Sequence, residues 1–367
     1  MAANAGKGPD AYLGTEFLDY YSQFPSHNTV CVNGISSYPI MRCNHAFKLI
    51  GCYPEPATKD GLNQPITYSD MLFIEPETQS DQSRLMGIVT TSQTSGYYVD
   101  IFRSKQREGG DIMHDYFYHN LGTNMSIQSA SGMDLDLQPT TELSSASVMI
   151  GAYSFFFDTK SNKTNENIKV TYKMDMPTGD DVYMTLWQKG ERDRVIFSTL
   201  SPVNTGLGKM RNMPYDVHQT PTRTFVARQS GEAWSRPFVT IFEPSTKSKE
   251  GTIEAVEYFS DKAKSEEFVG ILVKHKDGRE DYILSQSDVN AESVCKEATL
   301  VGKYAVLSTI DKENASVFIG NATYLKWGDV VISSPQPSNV LIEKKDGAWS
   351  VVDAPKESKI TIKSKRL

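Results

Sequence analysis

Apolar runs of about four to eight residues, broken roughly every ten by clusters of Ser, Thr, Asn, Asp, Gly and Pro, recur along most of the chain. That rhythm predicts β-strands. Between residues 71 and 103 the runs alternate with Ser/Thr/Gln/Gly turns, as in an antiparallel meander, and further strands are expected at 153–157, 168–174, 182–189, 222–226 and 238–242. Trp187 and Phe155, Phe156 and Phe157 read as core. Residues 37–53 carry another apolar segment, 54–65 a Pro- and Gly-rich surface loop, and 120–145 a long polar connection. Across 245–250 the composition turns to Ser, Lys, Thr, Glu and Gly, which marks a domain boundary. Beyond it, runs at 253–259, 268–275, 281–285, 302–309, 316–324, 329–333 and 339–343 describe a small β-sandwich. Residues 356–366 alternate Lys with Ile and Thr, an edge strand guarded by lysines. No amphipathic helix longer than two turns is legible. The expected fold is all-β: a poorly ordered lead-in (1–16), a large antiparallel β-sandwich (17–245) and a smaller C-terminal β domain (246–367).

One stretch organises the first domain. Residues 20–34 read Tyr-Tyr-Ser-Gln-Phe-Pro-Ser-His-Asn-Thr-Val-Cys-Val-Asn-Gly, and from Asn28 onward they form a compact strand signal closed by the turn pair Asn33-Gly34. In a strand, His27, Thr29 and Cys31 share one face, and Asn28, Val30 and Val32 the other. The apolar pair Val30 and Val32 then faces a core, with His27 at the strand mouth, stiffened by Pro25.

A second candidate region is His114-Asp-Tyr-Phe-Tyr-His119. Along an unbroken strand, His114, Tyr116 and Tyr118 share a face, and Asp115, Phe117 and His119 the opposite one. Tyrosines beside a histidine form a set that can stack on sugar rings and still hydrogen-bond, although sandwich packing gives the same pattern. Tyr116, Tyr118 and Arg103, at the start of the charged stretch 103–110, are the candidate substrate contacts, and His114 is the candidate catalytic residue.

Elsewhere the chemistry thins. Cys31, Cys43, Cys52 and Cys295 show no Cys-x-x-Cys spacing, so no cysteine-built zinc site is expected. Cys31 lies about 13 Å along a strand from His27, too far to share an ion with it. His45 reads as structural, and His218 as structural or exposed at a groove rim. Asp134 and Asp136 are too solitary for an EF-hand loop. Gly206-Leu-Gly-Lys lacks the rest of a phosphate-loop pattern.

The stretch at 20–34 resembles the His-Asn-Thr-Val-x-Val-Asp-Gly strand of the heparinase II/III-like polysaccharide lyases. Val-Asp-Ile-Phe-Arg at 99–103 with Gly109-Gly110 and the 114–119 strand is similar to a second segment of that family. Ala-Arg-Gln-Ser-Gly at 227–231, followed by Arg236-Pro-Phe238 and Glu243-Pro244, is similar to a third. The resemblance covers roughly residues 15–245 and implies the C-terminal β-sandwich portion of an enzyme that cleaves uronate-containing polysaccharide, glycosaminoglycan- or alginate-like, by β-elimination. It also implies a structural zinc with His27 as a ligand, an acidic polysaccharide as partner, and a periplasmic or secreted location. An α/α toroid carrying the catalytic tyrosine, and the remaining zinc ligands, are expected upstream, and neither is found in this sequence. The chain is therefore expected to be inactive alone, with an incomplete zinc site. A Cys43–Cys52 bridge follows only if the family's export applies. The alternative is a non-catalytic carbohydrate-binding or interaction β-sandwich, for which Tyr97, Tyr98, Tyr116 and Tyr118 on one flat exposed face would speak.

Composition excludes more than it identifies. A net charge of −7 argues against a nucleic-acid partner and would on average repel an anionic polymer, which then needs a local basic cleft. No apolar run approaches the roughly 18 residues of a membrane span, and the amino terminus shows no apolar run that could act as a signal peptide.

Overall fold

A computed structural model describes residues 14–37, 47–55, 64–205, 219–295, 297–362 and, for the backbone, 365–366. Cys43, His45, His218, the 206–209 stretch and the lead-in up to residue 13 lie outside the described residues. The chain is all-β, with strands in three sheets and only short helical turns among the described residues. It divides into two compact units. One comprises Met1–Lys48, Met71–Arg84 and Val99–Gly251; the other comprises Leu49–Asp70, Leu85–Tyr98 and Thr252–Leu367. The break at Gly251 falls close to the compositional change at 245–250.

The first unit is a sandwich. Its six-stranded sheet runs, edge to edge, through Val30–Val32, Met113–Asn120, Pro221–Ser230, Arg194–Val203, Phe157–Lys163 and Gln138–Pro139. Against it packs a sheet in which Ala233–Thr246, Val182–Gln188, Ile168–Met174 and Asn124–Ser129 are antiparallel neighbours. Val30, Val32, Tyr116, Tyr118 and Phe225 from one sheet meet Phe102, Val170, Leu186, Phe238 and Phe242 from the other in a buried core. The six-stranded sheet is buried on its other face as well. There Cys31, Phe117, Phe197 and Val226 are covered by Phe17, Tyr20, Phe24, Ile150, Tyr153 and Phe156 from the turns at Phe17–Tyr21, Phe24–Ser26 and Gly151–Phe155.

Where structure and pattern differ, polar edges and aromatic corners are responsible. The stretch 120–145 contains a strand, Asn124–Ser129, whose only large apolar residues are Met125 and Ile127. The expected strand at 153–157 is instead the 3-10 turn Gly151–Phe155 followed by the polar strand Phe157–Lys163. The turn drops Tyr153 and Phe156 into the outer core, where burying two rings outweighs strand propensity. The organising strand is also shorter than its sequence signal, spanning Val30–Val32 only. Pro25 sets a 3-10 turn, and His27 is its C-cap rather than a strand residue. The Asn33-Gly34 turn forms as expected, both residues at positive φ (52° and 67°).

The second unit is built on one ten-stranded sheet. Ala298–Thr309, Ala315–Trp327 and Val330–Lys345 are long strands whose register breaks at Val301/Gly302 and between Ile319 and Tyr324. At these irregularities the strands bend, so that both of their halves contribute to one core: Leu300, Leu325 and Ile332 from one end pack with Leu307, Val317 and Ile342 from the other. Gly302 stands where a Cβ would lie 2.1 Å from that of Ala322, so the bend requires glycine. The runs at 329–333 and 339–343 belong to a single strand, and Pro335 and Pro337 sit in the slack between Ser333 and Ser338, where no ladder bond is lost. Lys359–Ile362 and Lys365–Arg366 close the sheet edge.

Candidate functional site

Of the residues singled out from sequence, Tyr116 and Tyr118 lie on the inner face of the six-stranded sheet, whereas His27, Cys31 and His119 gather at its outer face. The turns Phe17–Tyr21 and Phe24–Ser26 carry the chain across that face and leave His27 half-buried. Asn28 then replaces a strand peptide with its side chain: its Oδ1 accepts from the His119 amide at 2.6 Å, and its Nδ2 donates to the His119 carbonyl at 3.3 Å. Burial holds the His27 imidazole below its usual pKa, opposed by a bond to the Tyr21 carbonyl.

His119 lies fully inside. Its Nε2 is 2.9 Å from the Pro25 carbonyl, which can only accept, so that nitrogen carries the proton. Nδ1 is then the acceptor, for the Thr224 hydroxyl at 2.8 Å, with Ser201 Oγ at 3.4 Å. Burial pulls this imidazole down to about 3, and the nearby His27 adds to the effect. His119 is therefore a neutral structural strut with both nitrogens engaged. A group whose folded pKa is depressed stabilises the fold above its unfolded value of about 6.5 and loses that contribution as pH falls. Between pH 7 and pH 5 the loss through this group is expected to be roughly 2 kcal/mol. Urea unfolding at the two pH values should show that fall in the parent and a flatter dependence in His119→Gln; equal dependence in both would contradict the assignment.

Two buried carboxylates anchor the strands beside this cluster. Asp115 is 0% exposed and takes Arg228 in a bidentate pair (2.7 and 2.8 Å), with the Tyr153 hydroxyl donating at 2.8 Å. Cys31 bonds to Tyr153, and burial pushes its thiol up to about 12, so it is an inert thiol. On the opposite face Asp100 takes Arg84 bidentately (2.9 and 2.6 Å) and receives the Tyr116 hydroxyl at 3.0 Å. Arg84 also donates to the Asn28 carbonyl at 2.9 Å.

These contacts revise the expected substrate set. Tyr116 and Tyr118 share a face with His114, as the period of two requires, but that face is the sandwich core, and the two rings are 1% and 3% exposed. Tyr116 stacks on Phe238, and Tyr118 packs against Phe242 and Tyr172. Arg103 is buried too, its guanidinium donating to the Trp234 carbonyl at 2.7 Å. None of the three presents a surface to a sugar in this structure. His114 is fully buried, its Nε2 2.8 Å from Asp111 Oδ1 and its Nδ1 enclosed without a hydrogen-bond partner. Burial would raise the Asp111 pKa, but the bonds to His114 and to the Gln106 amide outweigh it and hold the carboxyl low.

The zinc implied by the resemblance does not fit the described residues. Among them no group of three His, Cys, Asp or Glu side chains is placed to hold a metal ion, and the histidine nearest in kind to His27, His119, has no nitrogen to spare. Cys31, Cys52 and Cys295 are free thiols, and Cys43 lies outside the described residues. The Asp115 network carried no sequence signal because Arg228 lies 113 residues away, whereas the partners of Asp100, Arg84 and Tyr116, are each 16 residues away on other strands.

Comparison with known proteins adds the context that geometry lacks. Residues 253–344, in the second unit, match the family model described as "Endo-acting ulvan lyase C-terminal domain". Over 333 residues, 86% of the chain, the sequence is 26% identical to a protein of Formosa agariphila named endo-acting ulvan lyase. The aligned region covers 39% of that relative, so the chain spans well under half of its length. Over 86% of its length, then, this chain is similar to part of a polysaccharide lyase, and within its second unit residues 253–344 match the C-terminal domain of such enzymes.

Proposed function

We propose that this chain is the C-terminal β region of a polysaccharide lyase that cleaves a uronate-containing polysaccharide by β-elimination, with ulvan the first candidate substrate. The observation that carries this reading is the extent of the similarity to the Formosa agariphila ulvan lyase, which runs through both units. The all-β fold agrees with it, as does the family match in the second unit. The finer reading keeps the heparinase II/III-like resemblance: an α/α toroid outside this chain supplies the catalytic tyrosine, and the enzyme works on an extracellular polymer from the periplasm or after secretion. Among the described residues no helix is long and apolar enough to cross a membrane.

β-Elimination needs a base at the proton α to the uronate carboxylate, an acid at the leaving oxygen, and neutralisation of the carboxylate. Among the described residues, His114, His119 and His275 are buried, as are Tyr116, Tyr118 and Tyr153, so these groups meet no substrate here. This supports a non-cleaving role for the chain by itself. Expressed from its complete gene, the protein should release unsaturated uronate from ulvan; a folded product with no turnover on ulvan, chondroitin, hyaluronan, heparan sulfate or alginate would count against the lyase reading.

The zinc role carried to His27 rests on the resemblance, with its companion ligands outside the described residues. One imidazole is a weak site. Elemental analysis of the purified 367-residue chain after dialysis is expected to find zinc far below stoichiometric; retained stoichiometric zinc that disappears in His27→Ala would contradict this.

The alternative, a carbohydrate-binding or interaction module without catalysis, loses the platform first expected for it. Tyr97, Tyr116 and Tyr118 are buried, and only Tyr98, at 39%, is exposed.

A further inference from the structure

A chain of net charge −7 can hold an acidic polymer only where positive charge gathers locally. One such place is a cleft of about 280 Å³ whose lining residues all belong to the second unit. That volume sits just below the usual range of small-molecule pockets, so it suits a single sugar residue rather than a length of chain. Its lining carries three cations, Arg279, Lys344 and Lys345, against one carboxylate, Glu343.

Strand register brings these charges together. Ser308 lies opposite Ser316, and Ser316 opposite Glu343, so the three share one face of the ten-stranded sheet. By the period of two, Lys345 belongs to that face as well. Arg279 reaches it from just before the Glu280–Ser285 strand, its Nη2 donating to Ser308 Oγ at 3.3 Å. Glu343 holds Lys345 at 2.5 Å, but the lysine side chain is 72% exposed, so this pair is open to water and readily exchanged. Lys344 stands at the rim, its Nζ at the Lys312 carbonyl (2.5 Å) and Asp311 close by.

Arg279 has donors to spare. Only 7% exposed, it gives Nε to the two Asp281 oxygens at 2.8 and 3.1 Å and Nη2 to Ser308. A guanidinium carries five N–H donors, and among the described residues Nη1 makes no hydrogen bond. Nor is Nη1 sealed from solvent; the opening it has is the cleft that the side chain lines. Asp281, fully enclosed and outside the lining, fixes the guanidinium from behind and leaves its outer edge unused.

We propose that this cleft seats one uronate residue of the polysaccharide, its carboxylate bridging Arg279 and Lys345. A carboxylate presents two coplanar acceptor oxygens, which suits a guanidinium edge already fixed in direction. The incoming group takes up the donors that Asp281 and Ser308 leave over and competes with Glu343 for the exposed lysine. Ser316 and Thr90, also in the lining, offer hydroxyls to those of the sugar. No histidine or tyrosine lines the cleft, so it anchors the polymer and leaves elimination to another site.

This inference rests on the polysaccharide reading above and deepens it. Isothermal titration of the 367-residue chain should show binding of ulvan and of alginate, a uronate polymer without sulfate, and none of uncharged dextran. The affinity should fall severalfold from low to high salt, as the exposed lysine is screened. Lys345→Glu, at an exposed position, should weaken binding by about tenfold or more, because a like charge then faces the ligand. Arg279→Lys keeps a charge beside Asp281 but withdraws the free edge, and should lose about as much with its near-ultraviolet circular dichroism unchanged. Lys160→Glu, on an exposed site of the first unit, makes the same change in net charge and should leave the affinity within about twofold. Binding of dextran sulfate in place of alginate would overturn the carboxylate assignment. No binding of ulvan or alginate, equal binding of dextran, full affinity in Lys345→Glu, or equal losses in Lys345→Glu and Lys160→Glu would overturn the site. Cleavage of ulvan by the complete gene product without binding by this chain sinks the cleft and spares the lyase reading; binding without cleavage does the reverse.

Discussion

Replacing Asp115 by alanine is expected to destabilise the first unit by about 3–5 kcal/mol, the effect of breaking a buried ion pair from one side. The carboxylate is fully enclosed and satisfies two groups from different elements: the Arg228 guanidinium on the neighbouring strand and the Tyr153 hydroxyl from the 3-10 turn. Without it Arg228 keeps its charge against the Phe197 ring, 5.2 Å away, with no anion beside it. Tyr153→Phe removes the hydroxyl's bonds to Asp115 and to Cys31 and leaves the ion pair, so it should lose only about 1–2 kcal/mol. Urea unfolding followed by near-ultraviolet circular dichroism measures both variants. A loss below about 1 kcal/mol for Asp115→Ala would mean that Arg228 finds water or another partner, and the network would not be structural in the sense argued here.

Asp281→Ala should do comparable damage in the second unit, about 3–5 kcal/mol on the same grounds. Arg279 Nε lies 2.8 and 3.1 Å from the two Asp281 oxygens, His275 Nε2 3.1 Å from one of them, and the Tyr97 hydroxyl donates to that one at 2.9 Å. Burial alone would raise this carboxyl's pKa, but the bonds to His275 and the charge of Arg279 outweigh it and hold it below 3.8. A depressed carboxyl stabilises the fold above its unfolded pKa and loses that contribution as pH falls below it. Acid unfolding of the parent should therefore include a component beginning below about pH 4 that is missing in Asp281→Ala. Identical acid transitions in the two proteins would remove Asp281 as its source.

Both carboxylates illustrate what the sequence could and could not disclose. Alternation along 168–174 and 182–188 located two core strands, and the split of His114, Tyr116 and Tyr118 from Asp115, Phe117 and His119 proved right. A period of two states which residues oppose each other but not which side is wet. Here neither is, because the turns at Phe17–Tyr21, Phe24–Ser26 and Gly151–Phe155 roof the outer face of the six-stranded sheet. Tyrosines that read as a sugar platform are consequently core, the Tyr116 hydroxyl spent on Asp100 and the Tyr97 hydroxyl on Asp281. The strands Asn124–Ser129 and Phe157–Lys163 escaped notice because they are polar and lie at or near sheet edges, where burial writes little into the pattern.

In this chain the described histidines and tyrosines of the candidate strands hold two faces of a sheet together, and under the proposed function the chemistry is carried by residues outside the chain. The most direct test is to incubate the purified 367-residue chain with ulvan and follow the ultraviolet absorbance of the unsaturated uronate that β-elimination creates. The account predicts a flat trace from folded protein; a steady rise, absent from a heat-inactivated control, would contradict it.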